Sequence, residues 1–407
     1  MTTAVSTDLR ERAAARFAEL GWPTPRLEAW KYTNLAPIEK TLWHSDDDPQ
    51  PIEVAETLAG RAVLELQFVN GKLVRTTGEN TFGTNDEIGR YADFHQNALV
   101  ALNAAQMQDG ARFEIPANTV VDGFIHLLFI GNGDGIWSHP RNVIRVGSGA
   151  QVAIVETYVG KGHYFTNAVT EIVAEDGAIV DHYRLECESL DAYHVGNVFI
   201  HQGRSSNVTS RNIAAGGALV RSEVHVLLDG EGASLSLEGL FVGTGTQHID
   251  NHTVIDHARP HCESHELYKG VLDQNSRGVF DGRIIVRPGA VKTSSRQENR
   301  NLLLSETAIV DSKPTLEIHN DDVKCNHGST IGQIEQEPLF YLRSRGIGEE
   351  EARSLLVHAF ASEIVDRMKI EPVREQIRRA LFHVMPQRMP ERRAAERAED
   401  RGQRAER

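Results

Sequence analysis

Between residues 113 and 320 the sequence carries short β-rich runs separated by turn residues, and no convincing helical period interrupts them. Val143-Ile144-Arg145-Val146, Val152-Ala153-Ile154-Val155, Val198-Phe199-Ile200, Val224-His225-Val226-Leu227 and Ile284-Ile285-Val286 are typical. Such a stretch restricts this part of the chain to an all-β core. A Gly-Ala pair followed by a strand recurs at Gly149-Ala150, Gly177-Ala178, Gly217-Ala218, Gly232-Ala233 and Gly289-Ala290, and Ala178-Ile-Val-Asp181 is echoed by Ala308-Ile-Val-Asp311. The repetition has no fixed period. It suits a β-solenoid, whose coils stack on their neighbours while turn lengths vary. A sandwich or irregular barrel predicts similar strand density.

The flanks read differently. Ser6 or Thr7 caps a predicted helix over 8–20, with Leu9, Ala13, Phe17 and Leu20 as its apolar stripe and Gly21 with Pro23 as its stop. Residues 62–75 read as a hairpin, because Asn70-Gly71 suits a type I′ turn. A further helix is expected over 93–108, with Leu99, Leu102 and Ala105 on its apolar face. After Pro338 the period is helical again: Ala352, Leu355, Leu356, Ala359, Phe360, Ile364, Val365 and Met368 follow 3–4 spacing. Pro372 opens another helix carrying Val373, Ile377, Leu381 and Val384. These faces need burial, on their own domain or on a partner protein. Residues 391–407 hold six arginines against five acids and offer only alanine as apolar surface, so they form a solvated tail. The expected organisation is a mixed helical region at 1–112, a β core at 113–335, a helical domain at 336–388 and a charged tail at 389–407.

Composition narrows the function classes. The 407 residues carry 43 basic and 57 acidic side chains, a net charge of −14. That argues against nucleic acid and anionic membrane as electrostatic partners. Three cysteines, Cys187, Cys262 and Cys325, form no CxxC pair and no disulfide framework, which fits a reducing compartment. The first residues lack an apolar h-region, and the run Phe124–Ile130 is too short to span a bilayer. A cytoplasmic protein is the expectation.

Familiar enzyme signatures are missing: no GxxxxGK[ST], no GxGxxG between strand and helix, no GxSxG and no HExxH. Two histidine-bearing stretches remain. His248, His252, His257, His261, Cys262 and His265 carry ligand chemistry at irregular spacing that matches no structural zinc template. Strand geometry scatters such side chains over both faces, so the expected reading of 248–265 is a wet β surface. In the second stretch Cys325 and His327 are two apart and face the same way on a strand. Lys324 is positioned to lower the thiol pKa. Two ligands are too few for a closed site, so further ligands have to come from elsewhere, such as a second subunit. The competing reading is a buried free cysteine beside a turn histidine.

This second stretch lies in Pro314-Thr-Leu-Glu-Ile-His-Asn-Asp-Asp-Val-Lys-Cys-Asn-His-Gly-Ser-Thr-Ile-Gly-Gln333, followed by Leu339-Phe-Tyr-Leu-Arg-Ser-Arg-Gly-Ile347. The block closely resembles the SufB/SufD family, scaffold subunits of the Suf machinery for iron–sulfur cluster assembly. Tyr268-Lys-Gly-Val-Leu272, Gly278-Val-Phe-Asp-Gly282 and Gln297-Glu-Asn-Arg-Asn-Leu-Leu-Leu304 continue the resemblance. Glu28-Ala-Trp-Lys-Tyr-Thr-Asn-Leu35 looks like the D-type subunit, as do the modest length and the low cysteine count.

The resemblance implies a central right-handed parallel β-helix flanked by helical regions. It implies pairing with a SufB-like subunit, docking of a SufC-like ABC ATPase by the C-terminal helices, and no ATP bound by this chain. It places a functional histidine at the position of His327, acting with a cysteine of the SufB chain on a transient iron–sulfur cluster shared at the interface. Cys325 matches the preceding family cysteine. The expected function is that of a non-catalytic scaffold. Two alternatives come from other classes: a β-helix carbohydrate-active enzyme, disfavoured by an aromatic content of 6%, and a self-pairing homodimer.

Overall fold

A computed structural model describes residues 7–84 and 87–384; the expected tail at 389–407 and the cap at Ser6 lie outside the described residues. Strands dominate, and from Gln151 onward they alternate between two sheets. Gln151–Lys161, Ile179–Cys187 and Asn207–Ala214 belong to one sheet; Tyr164–Ala174, Tyr193–Gln202 and Leu219–Leu228 belong to the other. Each pairs in parallel with the next strand of its own sheet. The architecture is therefore a parallel β-solenoid rather than a sandwich or barrel.

Hydrogen-bonded neighbours on adjacent coils are 28 residues apart at His182 and Ser210, 27 at Arg211 and Glu238, and 31 at Glu266 and Gln297. Coil length drifts, which is why the sequence repeats without a period. The Gly-Ala pairs mark the coil corners. Gly149, Gly177, Gly217, Gly232 and Gly289 all have φ between 68° and 85°, the left-handed region that a Cβ disfavours. Ala150, Ala178, Ala233 and Ala290 then enter the lumen fully buried, where a larger side chain would crowd the turn.

Alternate strand residues point into the lumen. Leu127, Ile154, Ile172, Val198, Leu237, Phe280 and Ile284 fill it. Phe68, Phe129 and Tyr158 stack across three coils at centroid spacings of 4.8 and 4.7 Å. At the N-terminal end the hairpin Leu64–Val69 and Lys72–Gly78 turns at Asn70 and Gly71, both at positive φ, and its first strand continues the sheet in parallel with Ile125–Asn132. Helix α1 (Thr7–Leu20) packs through Leu9, Ala13 and Phe17 of its expected stripe while Leu20 is exposed, and α2 is a short helix at Ala36–Lys40. Helix α3 is shorter than expected, Ala98–Gln106 instead of 93–108, because the Asn97 side chain accepts the amides of Leu99 and Val100 and caps it there. It packs through Leu99 and Leu102 on Phe165, Val195 and Leu219.

After the last strand come α4 (Gln336–Ser344), α5 (Glu349–Val365) and α6 (Glu371–Val384). The last two lie back on the outer face of the solenoid, with Leu240, Val242, Leu267 and Val271 in their apolar cluster. Val357, Ile364, Val373 and Ile377 are completely covered. At about 2 kcal/mol for each such side chain, this burial outweighs exposed ion pairs such as Arg61–Glu375, worth about 1 kcal/mol at most. The apolar face holds the helices; Arg367 to Glu238 at 2.9 Å and Lys369 to Asp181 at 2.8 Å set their register.

Candidate functional site

The two ends of the solenoid differ. The hairpin and helices cover the N-terminal end, whereas the final strands, Ile309–Ile318 and Lys324–Gly332, are half-buried to exposed along their length. Lys324–Gly332 pairs with Ser294–Leu303 on one side, placing Cys325 on Ser295, His327 on Gln297 and Ser329 on Asn299. Those three underlying side chains are buried in the lumen. Cys325 and His327 thus do share a face, the lumen-facing one, but no further coil follows among the described residues. Cys325 is half-buried against the end of the apolar core, and His327 is exposed at the mouth.

The expected effect of Lys324 is absent. Neighbouring strand residues face opposite ways, and burial pushes the Cys325 thiol up, against the help of the Ser295 backbone amide. Cys325 is therefore a protonated thiol at neutral pH rather than a ready thiolate. A groove of about 400 Å³ runs over the last strand beside His327. Arg296 and Arg300 line it, each ion-paired to Glu298.

Inside the mouth the lumen turns polar. Ser329 Oγ donates to Ser312 Oγ at 2.8 Å, and Ser312 Oγ donates to Asn299 Oδ1 at 2.7 Å. Asn301 Nδ2 donates to the same Oδ1 at 2.6 Å. From the same strand, Gln297 Nε2 donates to Glu266 Oε2, one coil deeper, at 2.6 Å. Glu266 is fully buried without an ion-pair partner among the described residues, and burial raises its pKa to about 7. Sequence reasoning missed these residues. Their signal was present in the Gln297–Leu304 run, but its meaning depends on the coil register.

Among the described residues no three His, Cys, Asp or Glu side chains converge as a metal cage. His327 and, behind it, Cys325 are the two metal-ligating side-chain types that this strand brings to one face.

The stretch 248–265 is only in part the wet surface that its composition suggests: Arg259, His261 and Glu263 are exposed, and other residues are not. His257 is buried, bonded to Ser264 Oγ at 2.9 Å, and burial lowers its pKa to about 4. The Cys262 thiol is buried against the Gly230 carbonyl at 3.2 Å. Asp250 is buried with Arg221 and with His252 at 2.9 Å. Burial alone would raise its pKa, and the Arg221 guanidinium overrides this and holds it well below the usual range. His257 and Cys262 turn into the lumen, whereas the cover over Asp250 and His248 comes from the N-terminal segment. The Thr33 hydroxyl donates to Asp250 Oδ2 and accepts from His248 Nε2 at 2.8 Å, and Trp30 covers Arg221 with its ring centroid 3.7 Å from the guanidinium carbon. Glu28 pairs with Lys313 at 2.9 Å. The run Glu28–Leu35 is a clasp that fastens the N-terminal region to the solenoid.

The family model of the SufBD core domain of the SUF system for iron–sulfur cluster assembly matches residues 129–360. An iron–sulfur cluster assembly SufBD family protein of Synechocystis is 36% identical, with 91% of this chain and 89% of the relative covered. The iron–sulfur cluster assembly protein SufD of Escherichia coli is 29% identical over 90% of each chain. A chloroplastic protein of Arabidopsis thaliana is 29% identical, covering 91% of this chain and 84% of its own length.

Proposed function

Because the chain belongs to the SufBD family of the SUF system for iron–sulfur cluster assembly, we propose that it is a D-type scaffold subunit that supplies one side of a shared assembly site. Its role is to hold a SufB-like partner at the open solenoid end, so that a nascent cluster forms between them. His327 is the ligand offered from this side. Cys325, protonated and half-buried, plays the lesser part. The cluster is cargo, passed on after assembly, and any ATP is bound by a separate subunit.

The observation that carries this reading is the uncovered final coil with His327 at its mouth. Stacked coils need a polar or covered terminus, and unpaired strand edges bind other strands. The test is His327→Ala in the complex co-purified anaerobically with SufB-like and SufC-like subunits. Loss of most bound iron and sulfide is expected; undiminished cluster formation overturns the ligand role.

For the ATPase we propose α4 and the exposed side of the C-terminal helices. Phe340 and Tyr341 are 74% and 57% exposed, unusual for large apolar side chains on a helix beside a buried face. Deleting the helices would uncover Leu240, Leu267 and Val271, so point changes are the cleaner probe. Phe340→Asp with Tyr341→Asp should abolish co-purification of the ATPase with the fold intact, and retained binding places the contact elsewhere.

A second reading shares the same observation: two copies of this chain pairing by their open ends. Mass measurement with and without the SufB-like subunit separates the two assemblies. No described helix is long and apolar enough to cross a membrane. We place the protein in the cytoplasm, in keeping with its free thiols; the chloroplastic relative shows that the compartment varies among similar chains.

A further inference from the structure

Glu266, Gln297 and His327 occupy the same lumen-facing position on three successive coils. Paired positions on neighbouring strands lie about 4.8 Å apart, so their side chains stack within reach. Gln297 is wholly buried, and its amide is engaged at one end, by Nε2 donating to Glu266. Glu266 Oε2 accepts this bond, as a carboxyl oxygen can whether or not the other oxygen carries the proton, so the amide presents its NH2 group downward. Gln297 Oε1 is buried without a hydrogen-bond partner among the described residues. A buried orphan acceptor costs about 1–3 kcal/mol, and such groups usually signal a partner. The next coil in this column offers one side chain, His327, and no described residue hydrogen-bonds its ring.

We propose that Gln297 is the positioning residue for His327. Its Oε1 accepts the N–H of the nearer imidazole nitrogen, turns the ring over the lumen mouth and fixes its tautomer. The other ring nitrogen is then left bare, its lone pair directed at the interface. Imidazoles that ligate metals commonly use such an acceptor on the second nitrogen, and losing it costs about 10–100-fold in metal affinity. Glu266 acts one step further away, by holding the amide the right way round. The ligand half of this inference rests on the reading of His327 given above; the hydrogen bond itself does not.

The test uses the full, metal-free chain labelled with 15N. His327 ring signals are assigned by their loss in His327→Ala. The native protein should show one tautomer, with well-separated Nδ1 and Nε2 shifts. Gln297→Leu should bring them to the averaged values of an imidazole exchanging freely between tautomers, while Gln297→Glu, which still accepts the N–H, restores the native pattern. Identical His327 signals in native and Gln297→Leu protein overturn the proposal. Should Gln297→Leu fail to fold, Gln297→Asn withdraws the carbonyl by one methylene and is read in the same way. In the assembled complex, Gln297→Leu should weaken Fe(II) binding by about tenfold or more. A cluster that survives His327→Ala would overturn the ligand reading and leave the tautomer result standing, so the two failures are distinguishable.

Discussion

At the scale of single residues, the Cys325–His327 pair was legible because a spacing of two on a strand is a statement about faces. That the two side chains need ligands from another molecule was an expectation of the sequence, and it is carried into the proposed function. What did not follow was the state of the thiol: Lys324 is adjacent in sequence but faces away, and burial decides the pKa. Glu266 was invisible for another reason. Its importance comes from Gln297 and His327, which approach it only through coil registers of no constant length. Its raised pKa has a consequence for stability. The carboxyl keeps its proton in the fold up to about pH 7, whereas the unfolded chain releases it near pH 4.5. The stabilisation is thus complete below about pH 4.5 and declines as pH rises to 7, by about 3 kcal/mol. Denaturant melts of Glu266→Gln should lack this decline, making the variant relatively more stable at pH 8 than at pH 5. Parallel pH dependence in both proteins would refute the assignment.

At the scale of elements, the helical period after Pro338 and the stripe of α1 were plain in the sequence, whereas the start of α3 was not. Apolar periodicity carries through residue 93, and a single side chain, Asn97, sets the boundary. The histidine-rich stretch is exposed, as expected, at Arg259, His261 and Glu263, but Asp250 is covered by a segment more than two hundred positions upstream, through Thr33, and His257 and Cys262 turn into the lumen. Thr33→Val should cost about 1–3 kcal/mol in chemical denaturation, since it deprives both His248 and Asp250 of a buried partner. A change below a few tenths would show that the clasp is held by Trp30 and the Glu28–Lys313 pair instead. On the opposite face, Lys269 is nearly buried, with Nζ 2.6 Å from Glu363 Oε2 and 4.0 Å from the Phe360 ring centroid. Removing Glu363 strands that charge, which burial already disfavours. Glu363→Ala should therefore destabilise α5 more in the native background than alongside Lys269→Met; equal costs in the two backgrounds would exclude the coupling.

At the scale of the whole molecule, the solenoid is closed at its beginning and open at its end. Ile331 sits at the open end, about half exposed, on the lumen-facing position above Asn301. Ile331→Lys should weaken association with the partner, or with a second copy, by tenfold or more, equivalent to about 1.4 kcal/mol. Thermal stability of the isolated chain should stay near native, because no described coil rests on that residue; unchanged association constants in ultracentrifugation, or a collapsed melting temperature, would count against the open end as the contact. The open end also bears on how such a protein is made. An orphan copy displays two strand edges ready to recruit any extended chain, and nascent chains are the commonest supply. On the proposed pairing, synthesis in step with the partner keeps these edges covered. Overproduction of this subunit alone should be read out first as quality-control load, well before any shortage of iron–sulfur clusters is felt.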